Sequence, residues 1–289
     1  MLALPILCLC CNAQGTGSKE GVSYVHALPS GASRAHLQQP QAVKQQSVEY
    51  VIPELILGGE WTSTIRITNR GTTQMPSTNV YFVDNSGNDM TATFQTTTLL
   101  TNGTTVLGSP ITGPGFSVFL QPGGIIEIVF SGGATAVFGQ GIVDFCGTTA
   151  NCYSYGIYGQ VTLTNTNSTR PNFQSIFPFE QPASLQYMLF DDRNGISAVL
   201  YLVNENTSSM TASLQFLNAA NQVIQTVSVP MVSLGSQILT LDTIAPAIIG
   251  LQGTLVINSG SSNLVLTATA LQINPTNSFT PLRAFIPSP

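Results

Sequence analysis

Charge is what this chain has least of. Asp, Glu, Lys and Arg make up 7% of its 289 residues, where an ordinary soluble domain carries about 25%. Thr, Ser, Asn, Gln and Gly take that place, and they favour strands, turns and neutral polar surfaces. Scarce Glu and Lys also removes strong formers of exposed helix. The hydrophobic fraction of 43% is close to the globular norm, so a substantial core is available. This composition reads as all-β.

Bases are scarcer still. Lys19 and Lys44 are the only lysines, and from residue 48 onward the bases are Arg66, Arg70, Arg170, Arg193 and Arg283. A nucleic-acid binder needs a clustered basic footprint to neutralise phosphates, and none is present. Attraction to an anionic membrane fails for the same reason. Both histidines, His26 and His36, precede residue 48, so mechanisms using a His base or ligand find none beyond it. A Ser–Lys dyad fails with the lysines. No cofactor is implied.

No apolar run reaches the roughly 20 residues that span a bilayer. The amino terminus, Met1-Leu-Ala-Leu-Pro-Ile-Leu-Cys-Leu-Cys-Cys-Asn-Ala-Gln14, instead has the outline of a secretory signal over 1–13, cleaved after Ala13. The usual Lys or Arg ahead of the run is missing, as in a truncated signal. Cys8, Cys10 and Cys11 each follow a residue unsuited to a lipoprotein anchor. Residues 14–47, polar and without a period, read as a flexible leader. Cys146 and Cys152 close a short polar loop, Cys-Gly-Thr-Thr-Ala-Asn-Cys. In an oxidising compartment this pair reads as a local disulfide; a metal site would need further ligands nearby.

Beyond residue 48 the period is two, broken by Gly, Pro and Asn. The chain also repeats itself. Trp61-Thr-Ser-Thr-Ile-Arg-Ile-Thr-Asn69 lines up with Ile196-Ser-Ala-Val-Leu-Tyr-Leu-Val-Asn204, and Val80–Asn88 with Leu214–Asn221. Gly124–Val129, Gly139–Val143, Gln160–Asn167 and Phe173–Pro178 find partners at Gly235–Leu241, Leu251–Leu255, Ala270–Pro275 and Phe279–Phe285. Order is kept throughout, and the first copy is longer mainly near 95–115, a loop or extra hairpin. Two tandem antiparallel β-sandwiches of immunoglobulin-like type are expected, over 48–181 and 182–289.

The opening Ile52-Pro-Glu-Leu-Ile-Leu-Gly-Gly-Glu-Trp-Thr-Ser-Thr-Ile-Arg-Ile-Thr-Asn69 resembles that of uncharacterised secreted proteins of soil bacteria. These carry a Gly-Gly-x-Trp-x-Thr-x-φ-x-φ-x-Asn segment. Phe177-Pro-Phe-Glu180 and the ending Leu271-Gln-Ile-Asn-Pro-Thr-Asn-Ser-Phe-Thr-Pro-Leu282 are similar to that family as well. Leu57 stands where the family usually has Asp. The resemblance implies fold and export, and carries over no activity.

Candidate chemistry is sparse. Paired carboxylates could serve a glycan-active hydrolase, with Glu54, Glu60, Asp84, Asp89, Glu127, Asp144, Glu180, Asp191, Asp192, Glu205 and Asp242 as the acids. Asp84-Asn-Ser-Gly-Asn-Asp89 offers oxygen ligands for a hard cation through Asp84, Asn88 and Asp89, although turn chemistry also explains these residues. Trp61, beside Glu60, could stack on a sugar at a sandwich rim, although its counterpart Ile196 is an ordinary core residue. The leading expectation is a non-enzymatic extracellular or cell-surface structural or adhesive protein. A carbohydrate-binding module is the alternative and a hydrolase the second. Glycans, other surface proteins and further copies of the chain are the partners this leaves.

Overall fold

The computed structural model describes residues 24–28, 49–75, 78–99, 103–144, 157–166, 173–276 and 279–287. They form four antiparallel sheets and a single turn of α-helix, Leu241–Ile244. No helix among the described residues is long and apolar enough to cross a membrane.

The first sandwich has one sheet of β1 (Tyr24–Ala27), β2 (Glu49–Leu57), β4 (Thr78–Asp84), β8 (Gly115–Phe119) and β10 (Val137–Asp144). Its order is β1-β8-β4-β10-β2. The facing sheet contains β3 (Trp61–Asn69), β5 (Ala92–Leu99), β6 (Thr105–Leu107), β7 (Ile111–Gly113), β9 (Ile125–Ser131), β11 (Ile157–Asn165) and β12 (Phe173–Pro178). It runs β12-β11-β3-β9-β5-β6, with β7 also on β5. The second sandwich pairs β13 (Leu185–Asp191), β15 (Met210–Leu217), β16 (Val223–Met231) and β18 (Gln252–Asn258) against β14 (Ser197–Asn204), β17 (Ser236–Thr240), β19 (Leu266–Ile273) and β20 (Phe279–Arg283). Their orders are β13-β18-β15-β16 and β17-β14-β19-β20.

These orders superpose. Reading β2, β3, β4, β8, β9, β10, β11 and β12 as strands one to eight gives the same two sheets as β13 to β20. Every aligned pair of sequence segments falls on equivalent strands. Within each sandwich the second strand pairs with the fifth and the third with the sixth, as in an immunoglobulin domain. The first and seventh strands have exchanged sheets relative to that arrangement, the first lying on the sixth and the seventh on the second.

The asparagine ending each repeat explains why the segments look alike. Asn69 and Asn204 are fully buried. Asn69 Nδ2 donates to the carbonyls of Thr73 and Leu120, while its Oδ1 accepts from the Gly71 amide. Asn204 repeats this with Ser208, Val232 and the Asn206 amide. One carboxamide thus satisfies three backbone groups that leave the sheet ladder where the strand stops.

The extra length of the first copy is more than a loop. β5 inserts beside β9 and sends Phe94 into the core, where it meets Phe82, Phe116 and Phe130 at centroid distances of 5.9, 5.6 and 5.8 Å. Two-residue periodicity explains the placement: Ala92, Phe94, Thr96 and Thr98 point in, and Thr93, Gln95 and Thr97 point out. The leader expected over 14–47 needs correction, because Tyr24–Ala27 pairs with β8 from Tyr24↔Phe119 to Ala27↔Phe116. Four residues are too few to display a period, and pairing at a sheet edge is made by the backbone. His26 therefore belongs to a sheet strand rather than a tether.

Removing the asparagine plug should be costly in either half. Asn69→Ala and Asn204→Ala are each expected to lose about 1–3 kcal/mol in urea unfolding, the cost of stranding buried carbonyls. Thr68→Ala, on the outward face, should stay within about 0.5 kcal/mol.

Candidate functional site

β2 is the strand that departs from alternation. All residues from Val51 to Leu57 are buried, although β2 is the last strand of its sheet. One face lies on the first core, and the other meets β14 and β19 of the second sandwich. Those strands are also buried on both faces, over Leu200–Asn204 and Leu266–Leu271. Tyr201 and Leu271 consequently pack into the first core, and Tyr201 meets Phe177 edge-on at 6.2 Å. This apolar seam joins the two sandwiches.

The seam also holds a carboxyl group. Between Gly139 and Gly141 the pairing of β10 passes from Leu55 to Ile52, so Pro53 and Glu54 form a bulge opposite Gln140. Glu54 is 2% exposed and its Oε1 has no hydrogen-bond partner among the described residues. Burial holds its pKa well above the ordinary carboxylate value. Burial, and then the nearby Glu54, push the Tyr201 hydroxyl upward as well. Gln140 reaches across the seam, its Nε2 donating to the Leu234 carbonyl at 2.8 Å.

The turn expected as a cation site is a second clasp between the halves. Asp84 Oδ1 accepts from the amides of Ser86 and Asn88, each at 2.9 Å. The carboxylate thus closes its own turn. Asn218 does the same with the amides of Ala220 and Gln222, so the geometry needs no acid. Asn85 takes hydrogen bonds from the second sandwich, its carbonyl from the Ser236 amide and its Oδ1 from Ser236 Oγ at 2.9 Å. Gly87 sits at φ +86°, and a Cβ there would overlap the Ser233 carbonyl. Asp89 is exposed. Among the described residues no three His, Cys, Asp or Glu side chains are grouped as metal ligands.

Where the halves meet, a groove of about 500 Å³ opens. Its walls come from Tyr50, from Tyr158 at the start of β11, from Phe179 to Gln181 in the crossing, and from Arg283 to Ile286. Arg283 clamps Glu180 through Nε–Oε1 and Nη2–Oε2 contacts of 2.8 and 3.0 Å. Burial raises the Glu180 pKa, and the guanidinium offsets only part of that rise. Gln181 Nε2 donates to the Tyr50 hydroxyl. Among the described residues Glu180 is the one acid on this wall, so paired-carboxylate chemistry finds no second acid among them.

The expected rim site lies elsewhere. Trp61 is half-buried and packed on the first core, while Glu60 is exposed. Trp61 pairs with Asn165 and Thr68 with Tyr158, which puts Trp61 about 23 Å along β3 from the groove. Cys146 and Cys152 lie outside the described residues. Sequence reading passed over Tyr50, Tyr158, Arg283 and Phe285. Their only signal was aromatic residues near strand ends, and what unites them is the contact of two halves. Compared with family models, with curated proteins and with solved structures, the chain matches none of them.

Because Glu54 takes its proton more readily folded than unfolded, its contribution favours the folded state most in acid. That contribution falls as pH rises through the ordinary carboxylate range toward the folded value. Glu54→Gln should flatten this part of the pH dependence and raise stability at neutral pH by about 1–3 kcal/mol. Urea unfolding of both proteins between about pH 4 and pH 8 checks it. Parallel curves would contradict the assignment.

Proposed function

We propose that this chain is an exported, non-catalytic protein that acts outside the cell or at its surface as a rigid structural or adhesive unit. Export is the reading its amino terminus and its resemblance to secreted soil-bacterial proteins support. The observation that carries the adhesive reading is the outer face of the larger sheet.

Across β11, β3, β9 and β5 the side chains pointing outward form rows. One runs Gln160, Arg66, Glu127, Thr97, and another Thr162, Thr64, Val129, Gln95. Arg66 and Glu127 are the only charged residues among the described strand residues of this sheet, and they are bonded to one another. Thr presents a methyl and a hydroxyl together, so such a face can be covered without stripping water from isolated charges. At the sheet's free edge β6 leaves Val106 and Leu107 exposed, beside the exposed Leu99 of β5, an edge suited to self-association. A neutral polymer or a second copy of the chain is the partner this surface suits.

Lysines in the middle of the face would have to be desolvated on contact. The Thr64→Lys, Thr162→Lys double variant should fold normally and lose at least about tenfold in retention on cell-surface matrix, or in self-association by sedimentation. A wild-type chain that is monomeric and unretained would refute the adhesive reading.

A further inference from the structure

The groove between the sandwiches goes beyond that reading, because it lies past the end of that face, where the start of β11 meets the second sandwich, and both halves wall it. We propose that it binds a neutral saccharide, stacked between Tyr158 and Phe285 and hydrogen-bonded by Arg283, Glu180 and Gln181.

Two large rings stand in water here. Tyr158 is 57% exposed and Phe285 63% exposed. They come from opposite halves of the chain, one from β11 and the other from just beyond β20, and both line the same groove. Each is anchored in a different way. The Arg70 guanidinium lies 4.8 Å from the Tyr158 ring centre. The Phe285 backbone exchanges hydrogen bonds with that of Tyr187 in both directions. Anchoring the backbone that carries Phe285 and packing Arg70 on Tyr158 lower the entropy lost when a ligand covers the rings.

The polar groups that share the groove with the rings set the ligand class. The Glu180–Arg283 pair places acceptor and donor side by side, and the pair carries no net charge to draw an ion. A hydroxyl both donates and accepts, so vicinal hydroxyls match such a wall, whereas the backbone of a proline-rich peptide, short of N–H groups, mostly accepts. Gln181 adds a carboxamide, which has capacity of both kinds. The Arg283 side chain remains 58% exposed while its partner is 10% exposed, so the guanidinium keeps donors open to the groove. The volume of about 500 Å³ falls within the range of small-ligand sites. The site needs both sandwiches, so a duplicated chain has it once.

The test uses the full chain on an array of neutral oligosaccharides, followed by calorimetric titration of those that bind. Tyr158→Ala and Phe285→Ala, both on exposed rings, should each weaken binding about tenfold without moving the melting temperature. Gln181→Ala should weaken it less. The Thr64→Lys, Thr162→Lys variant should bind as wild type, which separates this site from the adhesive face. The proposal is overturned if no neutral glycan binds, if the Tyr158→Ala, Phe285→Ala double variant binds undiminished, or if the groove takes proline-rich peptides or acidic sugars instead.

Discussion

Everything distinctive in this molecule follows from one strand having two cores. An edge strand in a sandwich ordinarily shows one face to water and leaves a row of backbone groups open to pairing. β2 does neither. Its second face is covered by β14 and β19, and at its free edge Val51 exchanges backbone hydrogen bonds with Glu180. The strand is thereby shared, and the two sandwiches become continuous through Tyr201 and Leu271.

That shared strand explains features that look unrelated along the chain. The bulge at Pro53 and Glu54 brings a carboxyl group into the seam, where only apolar and hydrogen-bonded groups are well tolerated. The crossing from Phe179 to Gln181 is drawn against the start of β2, and Arg283 then reaches Glu180 from the far half. The groove is the space left where that crossing, the start of β11 and the end of β20 fail to close over one another. Asn85 and Gly87 clasp the seam from its other side. The turn that offers Asp84, Asn88 and Asp89 also docks the second sandwich through Asn85.

Much of the architecture was legible. Alternation in segments such as Thr62–Thr68 encodes one buried and one exposed face, and the repeat alignment anticipated strand equivalence because Asn69 and Asn204 do the same local work. The apolar runs Tyr50–Leu57, broken only by Glu54, and Ala198–Val203 were the available sign of two-sided burial. They are easily read as ordinary strands. The candidate site was much less legible. Trp61 drew attention as the lone tryptophan, yet half of it serves the core, and the exposed aromatics belong to segments more than 120 residues apart by number, Tyr158 and Phe285.

The sequence by itself determined what is local: strand periodicity, the turns that need Gly or Asn, the duplication, and the near absence of charge. These depend on a few consecutive residues and on composition. Only the tertiary structure decided that β2 is shared, that Tyr24–Ala27 joins a sheet, that Glu54 is enclosed, and that a groove exists. Each of these depends on which outward faces meet. A Val or Tyr facing out of one sandwich has the same local pattern whether water or another sandwich lies beyond it.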